Sequence, residues 1–215
     1  MVRAIRNSTV AAILIGGALG AGLMLPAAFS QSNVTACDRE ELSDGENVSS
    51  AEVGASRADE IQTTADSPTA IGSGGPDCLT GRDNRADTLL GGDGRDELQG
   101  ESGRDYLDGG NNSNRMEGGA GGDIIKSGGT EDDGVFDEIF GGDGPDQIYL
   151  SGGRARVDAG AGDDVVVAAN GHDDVIDCGD GSDQVLYEPA DQIVNCEEQL
   201  ALSSRIRKPG LKITR

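Results

Sequence analysis

The chain has 215 residues, with 35 Gly, 39 acidic and 17 basic residues, three Phe, three Tyr and no Trp. Large side chains are too scarce for an ordinary globular core, because ordering each residue's backbone costs roughly 1–2 kcal/mol. Gly without a strict three-residue period argues against collagen, and a formal net charge of −22 argues against nucleic-acid binding, which needs basic surface to neutralise phosphates.

The N-terminus reads as an address. Arg3 and Arg6 precede an apolar run from Val10 to Leu25, and small residues follow at Ala28 and Ser30. A basic start, a short apolar stretch and a small-residue end predict a secretory signal peptide over 1–30. The run is rich in Gly and shorter than the roughly 20 residues that span a bilayer, so no stable membrane insertion is expected after cleavage. Removing Arg3 and Arg6 leaves a formal charge of −24. Val34-Thr35-Ala36-Cys37 resembles a lipobox, which leaves a surface lipoprotein anchored at Cys37 as the alternative to a freely secreted protein. In either case four Cys in an exported chain predict two disulfides, with three possible pairings. No Cys pair has metal-finger spacing, and the single His172 does not complete a zinc site.

Residues 31–70 are rich in Ser, Ala, Thr and acids without clear periodicity, and are expected to form a linker or N-terminal cap. A nine-residue period then begins. Gly91-Gly92-Asp93-Gly94-Arg95-Asp96-Glu97-Leu98-Gln99 returns in outline from Gly118 to Lys126 and from Gly141 to Tyr149. An aliphatic residue at the eighth position can be followed through Leu79, Leu89, Leu98, Leu107, Met116, Ile125, Ile139, Ile148, Val157, Val166, Val175, Val185 and Ile193. Eight of the twelve intervals are nine residues, which fixes the period.

The unit has a direct physical reading. Three residues around the aliphatic form a short strand whose middle side chain points inward. The six before it form a turn, where Gly permits positive φ and close backbone approach. Two units make one flattened coil, and successive coils stack as parallel strands. One aliphatic per nine residues gives a thin core, while the sixth-position Asp residues pile up along the turns and repel one another. A hard cation bridging carboxylates and turn carbonyls removes that repulsion, and oxygen-only ligands in a flexible loop suit Ca²⁺. The plainer reading, Asp as a solvated turn residue, does not account for Asp phased two residues after Gly.

This pattern resembles the RTX, or haemolysin-type, calcium-binding nonapeptide repeat. The resemblance implies an all-β, right-handed parallel β-roll over 71–196, with several Ca²⁺ ions held between turns one coil apart by Asp side chains and backbone carbonyls. Asp177 through Glu197 further resembles the ending of secreted actinobacterial members. Successive units turn on opposite edges, so one edge is predicted to carry Asp87, Asp105, Asp123, Asp146, Asp164 and Asp183. The other carries Asp77, Asp96, Asn114, Asp137, Ala155, Asp173 and Asp191. The metal ligands expected are Asp77, Asp87, Asp96, Asp105, Asp123, Asp137, Asp146, Asp164, Asp173 and Asp183, in a nearly continuous row on the first edge and a broken row on the second. This holds if the 14-residue interval from Ile125 to Ile139 is one unit plus a bulge near Ser127–Glu131; an added half-coil would swap the later assignments.

Cys178 and Cys196 lie one coil apart and are expected to pair on neighbouring strands, leaving Cys37 with Cys78. From residue 197 the chain is expected to be a tail, basic at Arg205, Arg207, Lys208, Lys212 and Arg215, either solvated or touching an anionic surface. No H-E-x-x-H or nucleophile–His–Asp constellation is present, and the flanks of the roll are too short for a catalytic core, so no enzyme is expected. The chain reads as an exported calcium-binding protein whose partners are Ca²⁺ ions, the alternative being a cell-surface adhesion or structural module that calcium only rigidifies. A cell-envelope or extracellular partner is left unnamed by the sequence.

Overall fold

A computed structural model describes residues 52–54, 56–129 and 136–202, and among them the regular structure is all strand. Each coil contributes one short strand to each of two nine-stranded sheets, and every pairing is parallel. The first sheet runs from Glu52–Val53 through Thr69–Gly74, Thr88–Asp93, Tyr106–Asn111, Ile124–Lys126, Gln147–Tyr149, Val165–Val167 and Gln184–Tyr187 to Glu198–Ala201. The second runs from Glu60–Gln62 through Cys78–Thr80, Glu97–Gln99, Arg115–Gly121, Phe136–Asp143, Arg154–Ala161 and Val175–Asp177 to Gln192–Val194, with Ser102–Gly103 pairing beside Arg115–Gly121. The molecule is therefore a parallel β-solenoid of nine-residue half-coils.

The core is two files of single side chains. Leu89, Leu107, Ile125, Ile148, Val166 and Val185 stack in the first sheet, and Leu79, Leu98, Met116, Ile139, Val157 and Ile176 in the second, all buried. The long interval is one unit plus an insertion. Leu107 pairs with Ile125 at 18 residues and Ile125 with Ile148 at 23, so the edges do not swap. Residues 130–135, where the extra length falls, lie outside the described residues.

Three boundaries differ from expectation. Ile61 and Ala70 continue the two files upstream, so a further coil occupies part of the segment expected as linker or cap. Glu198–Ala201, expected in the tail, is the last strand of the first sheet, and it sets Gln199 opposite Val185 in the core register. There the Gln199 side-chain amide donates to the Cys196 carbonyl at 2.9 Å, a polar end to an apolar file. The third difference is one of phase. Ile176, fully buried, pairs with Val157 and Ile193, whereas Val175 is 38% exposed. A one-residue slip turns every side chain to the opposite face, and the run Asp173-Asp174-Val175-Ile176 satisfies the repeat in either phase.

Cys178 and Cys196 form the expected disulfide across neighbouring coils, with Cα atoms 5.2 Å apart. Cys78 is disulfide-bonded as well; its expected partner, Cys37, lies outside the described residues. Among the described residues no helix is long and apolar enough to cross a membrane.

The phase predicts an asymmetric response to truncation. Ile176→Ala should cost about 2–5 kcal/mol as a buried large-to-small change, and Val175→Ala no more than about 0.5 kcal/mol. Urea midpoints of the two variants decide it, and equal losses would contradict the register described.

Candidate metal rows along the two edges of the roll

From Asp87 to Asp183, six successive turns that join the second sheet to the first each carry a buried Asp. Their contacts repeat. The Asp87 N–H donates to Asp105 Oδ1 at 2.7 Å, Asp105 to Asp123 at 2.8 Å, Asp123 to Asp146 at 2.8 Å, Asp146 to Asp164 at 2.8 Å and Asp164 to Asp183 at 2.9 Å. The row closes on a residue the repeat does not mark. The Asp183 N–H donates to Glu197 Oε2 at 3.0 Å, fourteen residues on, where a longer acid spans a shortened final coil.

The opposite edge starts one coil earlier than expected. The Asp59 N–H donates to Asp77 Oδ1, and the ladder continues through Asp96, Asn114 and Asp137 at 2.7–2.9 Å. It then meets Ala155, which has no carboxylate, and Leu150 is buried beside it in the core cluster. Beyond the break the Ala155 N–H donates to Asp174 Oδ1 at 2.8 Å and the Asp174 N–H to Asp191 Oδ1 at 3.1 Å. Asp174 therefore holds the ladder position, and Asp173, the residue expected there, is exposed. This follows from the same one-residue phase difference that buries Ile176.

Each ladder bond uses one carboxylate oxygen and leaves the other. The Oδ2 atoms of Asp77, Asp96, Asp105, Asp123, Asp146, Asp164, Asp174 and Asp183 are buried without a hydrogen-bond partner, as is Oδ1 of Asp87, whose Oδ2 accepts the Arg82 N–H. A buried charged oxygen left unpaired is costly. The Oδ2 atoms of Asp77, Asp96, Asp105, Asp123 and Asp146 face the first glycine of their own turn. A Cβ built on Gly91 would sit 2.5 Å from Asp96 Oδ2 and 2.5 Å from the Gly109 carbonyl oxygen; on Gly118 it would sit 2.6 Å from both Asp123 Oδ2 and the Gly141 carbonyl oxygen. Glycine thus keeps open a cradle where a carboxylate and the next coil's carbonyl converge.

The donor set fits a hard divalent cation. All the converging atoms are oxygens, and backbone carbonyls supplement the carboxylates, as Ca²⁺ coordination requires. Among the described residues no three carboxylate, thiol or imidazole side chains meet in one place, so a cation here draws on the backbone as much as on Asp. Asn114 shows how a place in the row is lost. Its Oδ1 keeps the ladder bond, and its Nδ2, a donor, faces the cradle 2.8 Å from where a Gly109 Cβ would be. Ala159 and Cys178 carry a Cβ at the corresponding position before Asp164 and Asp183, so those cradles are narrower.

Burial, opposed by the donated backbone N–H and reinforced by neighbouring acids, pushes the carboxyls of Asp77, Asp105, Asp146 and Asp174 up to about 7. Asp96 and Asp164 are pushed up to about 6 for the same first reason, and Asp123 and Asp183 are raised as well.

A parallel β-solenoid with files of buried, half-satisfied carboxylates in glycine turns is the architecture of a calcium-binding β-roll. The family model for the RTX calcium-binding nonapeptide repeat (4 copies) matches residues 83–116 and 134–166, and these stretches are RTX calcium-binding repeats. Neither a curated protein nor a solved structure matched the chain.

The raised carboxyls set a pH dependence. Without metal the folded roll holds more protons than the unfolded chain between the ordinary 3.8 and about 7, so its stability should fall as pH rises through that window. Urea midpoints in calcium-free buffer measure this, and a midpoint that rises with pH would contradict it.

Proposed function

We propose that this chain is an exported calcium-binding protein whose β-roll folds as it takes up several Ca²⁺ ions. The observation that carries the reading is the unbroken first-edge row, Asp87 to Asp183, in which every Asp keeps one buried oxygen without a partner. Asp77, Asp96 and Asp137 supply the second row, with Asp174 in place of Asp173. Because the cradles exist only when coils stack, binding free energy becomes folding free energy. Extracellular calcium modules commonly have dissociation constants of roughly 10⁻⁴–10⁻³ M, which would keep the acidic chain expanded at low calcium and stacked outside the cell.

Export rests on the sequence of residues 1–30, outside the described residues, and is supported by the disulfides, which persist in oxidising surroundings. Cys78 is disulfide-bonded, which supports the expected pairing with Cys37 and, with it, a freely secreted protein over lipid attachment at that cysteine. The domain reading becomes a signal peptide over 1–30, a roll reaching upstream to about residue 52 and downstream to Leu202, and a basic tail beyond. The roll is read as a structural binding module and not as an enzyme.

A second reading, an adhesion or structural module stiffened by calcium, draws on the outer faces of the sheets. Tyr149 and Leu200 are exposed on the first, while Arg115 covers the Phe140 ring and Arg156 the Phe136 ring, each at 4.4 Å, on the second.

Far-UV circular dichroism of residues 31–215, titrated with Ca²⁺ and with Mg²⁺ as control, tests the main reading. A cooperative gain of β signal with Ca²⁺ alone is expected, and a spectrum indifferent to Ca²⁺ would refute metal-coupled folding. The cradle itself is tested by Gly118→Ala, expected to weaken calcium uptake in calorimetry, against Gly74→Ala, whose Cβ would meet nothing closer than 3.6 Å. Equal uptake by the two variants would remove the cradle from the account.

A further inference from the structure

The outer faces of the two sheets differ in charge. On either side of each buried core residue the neighbouring side chains of the strand point outward. In the second sheet those positions include Glu97, Arg115, Glu117 and Glu138, which are joined by ion pairs around Arg115. In the first sheet one outward file runs Ile71, Leu90, Asp108, Lys126, Tyr149 and Val167, in register from strand to strand. Two charges of opposite sign stand in it, so the file is neutral on a chain of formal charge −22. The Lys126 Nζ donates to Asp108 Oδ2 at 3.0 Å, Tyr149 is 37% exposed, and the rest of the file is half-buried.

The file has the same order from either end: two apolar residues, two opposite charges, two apolar residues. Consider a two-fold axis in the plane of the face, along the strands and midway between Tyr106–Asn111 and Ile124–Lys126. It sets Asp108 against Lys126 of a second copy, Leu90 against its Tyr149 and Ile71 against its Val167. The companion outward file obeys the same operation, with Tyr106 opposite Ile124, Thr88 opposite Gln147 and Thr69 opposite Val165. A two-fold contact needs this self-complementarity, because residue i meets j wherever j meets i. Other registers fail on charge. Leu186 and Leu200 prolong the apolar file, but an axis moved between Tyr149 and Val167 would lay Lys126 against Leu186 and Asp108 against Leu200. Burying charge against apolar groups is costly. A pair kept only for solubility accounts for charge on the face, and not for its place with two apolar residues on each side.

We propose that the outer face of the first sheet is a homodimer interface, in which two rolls pack face to face and antiparallel. Two Asp108 and two Lys126 side chains key it as a ring of alternating charge. The inference rests on the fold and its register and is independent of the metal rows. The acidic turns lie at the edges of the roll, to either side of this face, so contact here keeps them out of the interface. The face is a strip three residues wide, roughly 10 Å, which places the contact among small, reversible interfaces.

Sedimentation equilibrium of residues 31–215 over a concentration series reads the mass, in calcium buffer, with circular dichroism as the check that each variant is stacked. The wild type should rise from the mass of one chain to that of two. Asp108→Lys and Lys126→Asp should each stay at one chain, because like charges then face one another, and an equimolar mixture of the two should return to two chains. Recovery on mixing separates a contact between copies from the pair within one chain, which mixing does not restore. A wild type at one chain throughout overturns the proposal, whatever else covers the face. Association that survives both substitutions overturns it as well, since the contact then lies elsewhere, and so does a mixture that stays at one chain. Should a charge variant fail to stack, Tyr149→Glu, at an exposed position, is read by the same mass and should stay at one chain.

Discussion

In a solenoid of constant coil length each residue stacks on its counterpart one coil away, and here that rule places Asp on Asp. The spacing of parallel strands, about 4.8 Å, puts like charges in a file that no side-chain rotamer can escape. The ladder meets half of the resulting demand, since each Oδ1 takes the backbone N–H of the preceding Asp. The other oxygen is left buried and unpaired. The rest of the structure answers to that unmet demand: the glycine facing five of these Asp residues, the thin core, and the difference between the edges.

The aliphatic file is well ordered but slight. One side chain per half-coil, flanked by strands of about three residues, specifies register more than it supplies stability. The edges resolve the stacking of charge in two ways. On the first, carboxylates run from Asp87 to Asp183 without interruption, which suits a chain of cations shared between turns. On the second, Ala155 stands where an acid would, and Leu150 and Ala168 fill the glycine position of that turn and of the next, all three within the hydrophobic cluster. There the repulsion is removed by deleting the charge. The exchange is local, since backbone donation continues on both sides of the gap.

Much of this was legible in the sequence because a nine-residue period is over-determined: Gly, Asp and aliphatic positions agree in many units, so the edge assignment survives a five-residue insertion. It fails where the agreement thins. Asp173-Asp174-Val175-Ile176 carries the pattern in two phases, and only the pairing of Ile176 with Val157 and Ile193 selects one. The coil containing Ile61 and Ala70 is hard to read from sequence because alanine marks a core position weakly, and Gly54, five residues before Asp59, is its one glycine. Glu197 was hidden for a different reason. It closes the first row from a shortened coil, where spacing no longer predicts which residue stands in register.

The ends are where stacking stops supplying partners, and they are built from other chemistry. A last coil has a neighbour on one side alone, so its core position is open and its turn N–H groups lack the next Asp. Gln199 puts a polar group on the open file and ties it to the Cys196 carbonyl, which favours an end wetted by solvent over one joined to another stack. The Cys178–Cys196 bridge holds the adjoining backbone, and Glu197, next in sequence to Cys196, is thereby kept against the Asp183 N–H. Cations can hold the interior coils to one another because each lies between two turns. At the terminus that arrangement is half missing, and a covalent bond with a longer acid takes over the same task.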